Sequence, residues 1–212
     1  MLIVGLTGNY GMGKSTILDM FKKLGAITID ADSIVRILLT EKDILKKIRG
    51  LLGDKVFYKN GSLNKDIVAK LIFKNNKLLH NLEDILHPIV FERINDFLDK
   101  IHEQDKVIVI EIPLLYERGY EDRFNRTITV YTKEEIALDR LEKEGIDRKD
   151  ALLRLKSQLP VEEKVKRSDF MIDNNGTIED TIVQVGTIYN KLSNEVVDGN
   201  DHGSRILKQE LS

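Results

Sequence analysis

With 212 residues, 42% of them hydrophobic and 32% charged, the chain suits one domain with an insertion or two small ones, with an ordinary core that needs no staple. Its 33 Lys and Arg against 35 Asp and Glu leave a formal charge of -2, without the basic excess of a dedicated nucleic-acid binder. The absence of cysteine excludes disulfide frameworks, thiolate zinc sites and cysteine nucleophiles. No apolar run approaches the ~20 residues of a membrane span. The apolar opening Met1–Leu6 has neither the basic start nor the cleavage site of a signal peptide. A cytoplasmic protein that engages neither membrane nor nucleic acid is therefore expected.

Leu2–Leu6 is short and unbroken in apolar residues, like a strand buried on both faces of a parallel sheet. A glycine-rich turn, Gly8–Gly13, follows. Ser15–Leu24 then sets Ile17, Leu18, Phe21 and Leu24 at helical spacing, and Gly25 stops that helix. Ala26–Ile29 is a second strand, ending in Asp30-Ala31-Asp32, so the opening spells one right-handed βαβ unit. From residue 33 to 104 the pattern predicts helices only, with Leu78, Leu82, Ile85, Ile89, Phe97 and Ile101 keeping a period of about 3.6. Pro88 is expected to interrupt that stretch in the first turn of a new helix, with His87 just outside it. Lys106–Ile112 is a buried strand closing on Glu111 and Pro113, and Thr127–Tyr131 is another. Residues 133–167 read as charged helix broken at Gly145 and Pro160, Asp169–Asp173 as a last strand and Thr177–Leu192 as a last helix. Residues 195–212 read as a poorly ordered tail. Strands alternating with helices predict an α/β fold with a parallel sheet covered on both faces. The helical block near 40–100 reads as an insertion at a strand's carboxyl end.

Gly8-Asn9-Tyr10-Gly11-Met12-Gly13-Lys14-Ser15, followed by Thr16, fits G-x-x-x-x-G-K-[ST] without a mismatch. Glycines there let successive N–H groups turn toward phosphate oxygens, and the following helix adds the positive end of its dipole. Lys14 would reach the β and γ phosphates of a nucleotide and the Ser15 hydroxyl would ligate Mg²⁺. A buried strand before the loop and an amphipathic helix after it are the context this mechanism requires.

Guanine specificity is not supported. Asp173-Asn174-Asn175-Gly176 matches D-x-x-G but lies far too late in the chain for a switch that touches the γ-phosphate, and Asn64-Lys65-Asp66 falls one residue short of N-K-x-D. Asp30 and Asp32 follow the second strand, where an ionised aspartate could accept a hydroxyl proton. Asp30 is assigned the capping of the next helix and Asp32 the chemistry. Glu111 resembles the acidic end of a Walker-B strand and would hold Mg²⁺ through water; a simple strand-end acid is the other reading. Arg140, Lys143, Arg148, Arg154 and Lys156 are either a solvated face or the cations of a lid over the transferring phosphoryl group.

Several motifs, in colinear order over residues 2–190, make the chain resemble the dephospho-coenzyme A kinase family. They are Val4–Gly8 leading into Gly13–Thr16, Asp30-Ala31-Asp32, Leu82-Glu83 with His87-Pro88, and Pro113-Leu114-Leu115-Tyr116-Glu117. Arg140-Leu141, Arg154 with Gln158, and Asp169 with Asn174 complete the set. The resemblance implies transfer of a phosphoryl group from MgATP to the ribose 3′-hydroxyl of dephospho-CoA, giving CoA and ADP. It implies a P-loop NTPase core with a five-stranded parallel sheet over residues 1–38 and 104–194, a helical substrate domain over 39–103 and a lid near 138–160. Asp32 would be the base, His87, Leu114 and Leu115 would serve the acceptor side, and Arg140, Lys143 and Arg154 the lid and nucleotide. A monomer or weak homo-oligomer is expected. The chain departs from the family at Glu111, usually Asp, at Lys143, usually Arg, at Ser168, usually Ala, and at Asn9 and Tyr10, where small residues are usual. Another small-metabolite kinase on the same core is a rival reading. A regulatory nucleotide switch is a second, though neither a water-positioning residue nor an effector surface is evident.

Overall fold

In a computed structural model that describes residues 1–72, 75–102 and 106–197, the five apolar runs form one parallel sheet. Its strands are β1 (Leu2–Thr7), β2 (Ile27–Asp30), β3 (Val107–Glu111), β4 (Arg126–Tyr131) and β5 (Phe170–Asp173), ordered β2-β3-β1-β4-β5. Every residue of β1 and β3 is buried, which is why these central strands read as unbroken hydrophobic runs. Leu6 and Asp30 both pair with Glu111, so β1, β2 and β3 end at one level. Open α/β sheets bind ligands beyond this carboxyl edge.

Helix α1 (Lys14–Lys23) buries Ile17, Leu18 and Phe21, and the last helix buries Thr181, Val185, Ile188 and Leu192 at the same helical spacing. Full burial of each large apolar side chain is worth roughly 1.5–3 kcal/mol. The expected breaks in the charged region fall at Gly145 and Pro160, giving α6 (Glu134–Lys143), α7 (Arg148–Lys156) and α8 (Val161–Arg167). Helix α9 (Ile178–Val197) runs through residues 195–197, where the sequence predicts the start of the tail, because Leu192 is still in the core and the helical pattern carries on past it. The rest of that tail lies outside the described residues.

The chain forms two compact units: Met1–Asp30 with the chain from His102 onward, and Ala31–Ile101. The second contains α2 (Ala31–Leu38), α3 (Lys42–Leu52), α4 (Lys65–Ile72) and α5 (Asn76–Leu98), with α2, α3 and α4 each packed on α5. Two expectations fail here. Helix α5 is continuous and holds Pro88 in its interior, with His87 inside the same helix. Proline removes one backbone hydrogen bond and crowds the carbonyl four residues back, at a cost of about 3 kcal/mol. Buried Leu82 and Leu86 before it, and Val90, Phe91, Ile94 and Leu98 after it, supply more than that by packing one unbroken rod. The unit is also not helices alone. Phe57 and Leu63 form an antiparallel bridge around Asn60-Gly61, where Gly61 has φ +83° and the Asn60 side chain accepts from Ser62 N–H and Oγ. Asn-Gly is a strong turn signal. Among the described residues no helix is long and apolar enough to cross a membrane.

Candidate phosphate-binding site

The loop between β1 and α1 is shaped for an anion. Gly8, Gly11 and Gly13 all have positive φ, at +150°, +77° and +88°. Gly13 is the N-cap of α1, lies in the left-handed region, and offers no side chain to the first turn of the helix. That turn also has no acidic residue. The leading N–H groups of a helix have no intrahelical partner, so an anion at this end would meet them together with the positive end of the dipole. A Cβ on Gly13 would stand 2.4 Å from Asn174 Nδ2, so no other residue fits without displacing Asn174.

Side chains from distant parts of the chain hold this shape. The Met12 carbonyl accepts from Thr132 Oγ1 at 3.2 Å and from Asn174 Nδ2 at 2.9 Å. In a trans peptide the carbonyl and the next N–H point opposite ways, so fixing the Met12 carbonyl aims the Gly13 N–H to the other side. Lys14 Nζ donates to Asn9 O at 3.2 Å, and Met12 N donates to the same oxygen at 3.3 Å. The Tyr10 N–H is taken by Gln158 Oε1 at 2.8 Å, and Asn9 Nδ2 donates to Leu159 O at 3.0 Å. Asn9 and Tyr10, both expected among the phosphate contacts, thus use these donors to brace the loop.

The cations of the charged helices divide into two groups. Arg148 is bracketed by Glu135, Asp139 and Glu142 of α6, so it belongs to a surface network. Arg140 and Arg154 turn toward the loop. Arg140 NH2 donates to Asn174 O at 2.8 Å, and its NH1 lies 3.7 Å from where a Cβ on Gly13 would stand. Arg154 sits over the Tyr10 ring. Lys143, the third cation expected to serve the nucleotide, is exposed near the end of α6.

The segment after β3 is held by a group that the sequence reading missed. Lys164 is 0% exposed, and its Nζ lies 2.7 Å from Glu117 Oε1 and donates to Pro113 O at 3.2 Å. Glu117 Oε1 also accepts from Leu159 N at 3.0 Å, and Pro113 O from Thr7 Oγ1 at 3.1 Å. The stretch Pro113–Glu117 is therefore tied to the end of β1 and to α8 together. Burial pulls the Lys164 ammonium below the ordinary lysine range, and the Glu117 carboxylate opposes that shift. Leu115, expected on the acceptor side, is fully buried where Gly5 lacks a Cβ; one there would stand 2.6 Å from Leu115 Cδ1. Its side chain packs the core, so of the pair only Leu114 is partly exposed.

The sequence model of the dephospho-CoA kinase family matches residues 2–180. The chain belongs to that family. The dephospho-CoA kinase of Aquifex aeolicus is 34% identical over 91% of this chain and 98% of its own. Among solved structures, TT1252 from Thermus thermophilus superposes with a TM-score of 0.78 at 29% identity, covering 90% of this chain and 97% of its own. The dephospho-CoA kinase from Campylobacter jejuni gives 0.65 at 28%, covering 93% and 98%. As a dephospho-CoA kinase family member, the chain is a P-loop kinase.

Two further residues singled out for this kinase lie in the second unit. Asp32 is exposed, the second residue of α2, where a carboxylate also suits the helix dipole; Asp30 immediately precedes that helix. His87 lies mid-way along α5. Burial pulls its imidazole below the ordinary value of 6.5, while Asp84 works the other way. Below about pH 6.5 the unfolded chain then binds more protons than the folded one, so folding stability drops as pH falls through that window. His87→Gln is expected to flatten that slope in denaturant titrations between pH 7 and pH 5. An unchanged slope would assign the acid sensitivity to other groups.

Proposed function

We propose that this kinase transfers the γ-phosphoryl group of ATP to the ribose 3′-hydroxyl of dephospho-CoA, giving CoA and ADP in the last step of coenzyme A biosynthesis. The observation that carries the reading is the braced loop, with outward Met12 carbonyl and uncapped α1, in a chain of this family. The acceptor oxygen forms a bond to the γ-phosphorus as the bond from phosphorus to the β,γ-bridging oxygen breaks, and the hydroxyl proton passes to the Asp32 carboxylate. The loop from Gly8 to Thr16 holds the phosphates, with Lys14 on the β and γ groups and Arg140, Arg154 and Lys143 adding positive charge from a lid over residues 138–160. His87, in a substrate domain over 39–103, and Leu114, in the segment after β3, serve the acceptor.

The donor set suits Mg²⁺. Ser15 presents a hydroxyl in the first turn of α1, and Glu111, 4% exposed, ends β3 level with Leu6, just before the loop. Ser15 would ligate the ion directly and Glu111 through water, its longer side chain standing where aspartate is usual. Bound there, the ion would neutralise charge on the β and γ phosphate oxygens. A cytoplasmic monomer or weak homo-oligomer goes with this reading.

Mass spectrometry of dephospho-CoA incubated with the protein, ATP and Mg²⁺, beside AMP, CMP and pantothenate, tests it. One phosphoryl group is expected on dephospho-CoA alone, located on its ribose. Transfer to a rival acceptor would keep the kinase and overturn the substrate. Tight ATP binding with no transfer at all would point to a regulatory switch.

A further inference from the structure

We propose that Tyr10 is a positioning residue, holding the Arg154 guanidinium at the phosphate loop before the nucleotide arrives. The proposal rests on the reading of Arg154 as a cation that meets the phosphates of ATP. Tyr10 is the third residue of the loop, a place for which the mechanism of phosphate binding has no use for an aromatic ring. Its backbone N–H is already committed to Gln158 Oε1, so the residue does not act through its amide.

The ring is itself fixed. It packs against Leu138 and Leu141 of α6 and Ala151 and Leu155 of α7, with Ile146 and Leu152 closing the cluster. On this anchored ring Arg154 makes two contacts. Its guanidinium carbon lies 5.2 Å from the ring centroid, and its NH1 donates to Tyr10 OH at 3.3 Å. A face contact and an edge contact to one rigid ring fix both the place and the direction of the guanidinium plane.

The physical gain is preorganisation. A long cationic side chain loses rotamer freedom when it clamps a phosphate, and a chain already ordered loses less at that moment. A phenol ring brings no carboxylate, so the contact with Tyr10 orients the guanidinium without itself adding a counter-charge. Glu135, Asp139 and Glu142 treat Arg148 differently, surrounding it with carboxylates that would compete with a phosphate. Tyr10 therefore links the loop that binds the nucleotide to the helix that brings a cation to it.

A double-mutant cycle over wild type, Tyr10→Leu, Arg154→Met and the double variant tests this. Equilibrium binding of MgATP is measured by calorimetry, with kcat and KM for transfer to dephospho-CoA and the thermal midpoint beside it. Tyr10→Leu keeps apolar volume in the cluster and is expected to weaken MgATP binding about tenfold, the size of a lost ring and hydroxyl contact to a cation. In the Arg154→Met background the same substitution should cost nothing further. Tyr10→Phe keeps the ring and should lose only about twofold to threefold, a loss that must vanish when Arg154 is Met. It supplies the cycle should Tyr10→Leu fold poorly. A Tyr10 penalty equal in both backgrounds would overturn the proposal, since the ring would then act on the loop or on the nucleotide itself. Full ATP affinity and turnover in Arg154→Met would overturn it too, leaving Tyr10 nothing to position. A wild-type protein that binds MgATP but leaves dephospho-CoA unmodified would sink the functional reading, while the binding cycle would still decide the role of Tyr10.

Discussion

Lys14→Ala is expected to lower kcat/KM for phosphoryl transfer about 1,000-fold without unfolding the protein. The reaction owes most of its rate to positioning and to charge stabilisation of the phosphoryl group, with little covalent work left for side chains. Lys14 Nζ is held at the loop by Asn9 O, 3.2 Å away, so the variant loses a placed charge. Asp32→Asn should cost about 100-fold, the lower end of the range for general acid–base groups. Steady-state kinetics that follow ADP release, with dephospho-CoA as acceptor, measure both. If Asp32→Asn turned over at nearly the wild-type rate, Asp32 would serve the first turn of α2 and not the proton. If Lys14→Ala lost less than Asp32→Asn, proton removal would dominate and the electrostatic account would be wrong.

Lys164→Ala is expected to destabilise the fold by about 3–5 kcal/mol, since it leaves the Glu117 carboxylate in a largely buried site without its counter-charge. The Pro113 carbonyl loses a donor in the same substitution, though Thr7 Oγ1 still reaches it. Lys164→Met combined with Glu117→Gln should recover a large part of the loss, because a neutral pair has no uncompensated charge. Urea unfolding of the three proteins measures this. The pH dependence has a definite sign. Burial sets the native lysine below its ordinary 10.5, so between those two values the unfolded chain binds more protons. Stability from this group therefore rises with pH through that window, and Lys164→Ala should flatten the rise. A loss of under 1 kcal/mol would mean that water reaches Glu117 readily.

The parts of the site legible in the sequence are those whose physics is local. A glycine-rich loop between an apolar strand and an amphipathic helix carries its own context, so Gly8–Thr16 could be placed from spacing alone. The strands could be recognised because burial on both faces removes polar residues from them. Lys164 was hidden by its neighbours. It sits in Glu162-Glu163-Lys164-Val165-Lys166-Arg167, a run that reads as a solvated face, and only its place three residues after buried Val161 hints at an inward position. Thr132, Gln158 and Asn174 act on the loop from more than a hundred residues away, and no local pattern records such a pairing. Pro88 misled for the opposite reason. Its local rule is sound, and packing along the whole of α5 outweighs it.

The sheet order has a further consequence for how the chain comes together. β1 and β2 are made early and lie on either side of a gap that only β3 fills, since the order is β2-β3-β1. Leu2 meets Val107 and Ile27 meets Ile108, so neither early strand has its shared neighbour until Ala31–Ile101 has been synthesised. On the ribosome the helical unit thus has its complete sequence available while the first βαβ segment still shows unpaired strand edges. Long-range parallel pairing of this kind is slow and exposes apolar surface while it waits. The loop after β1 likewise waits for a distant part of the chain: Asn174 takes hold of Met12 only when β5 has joined β4.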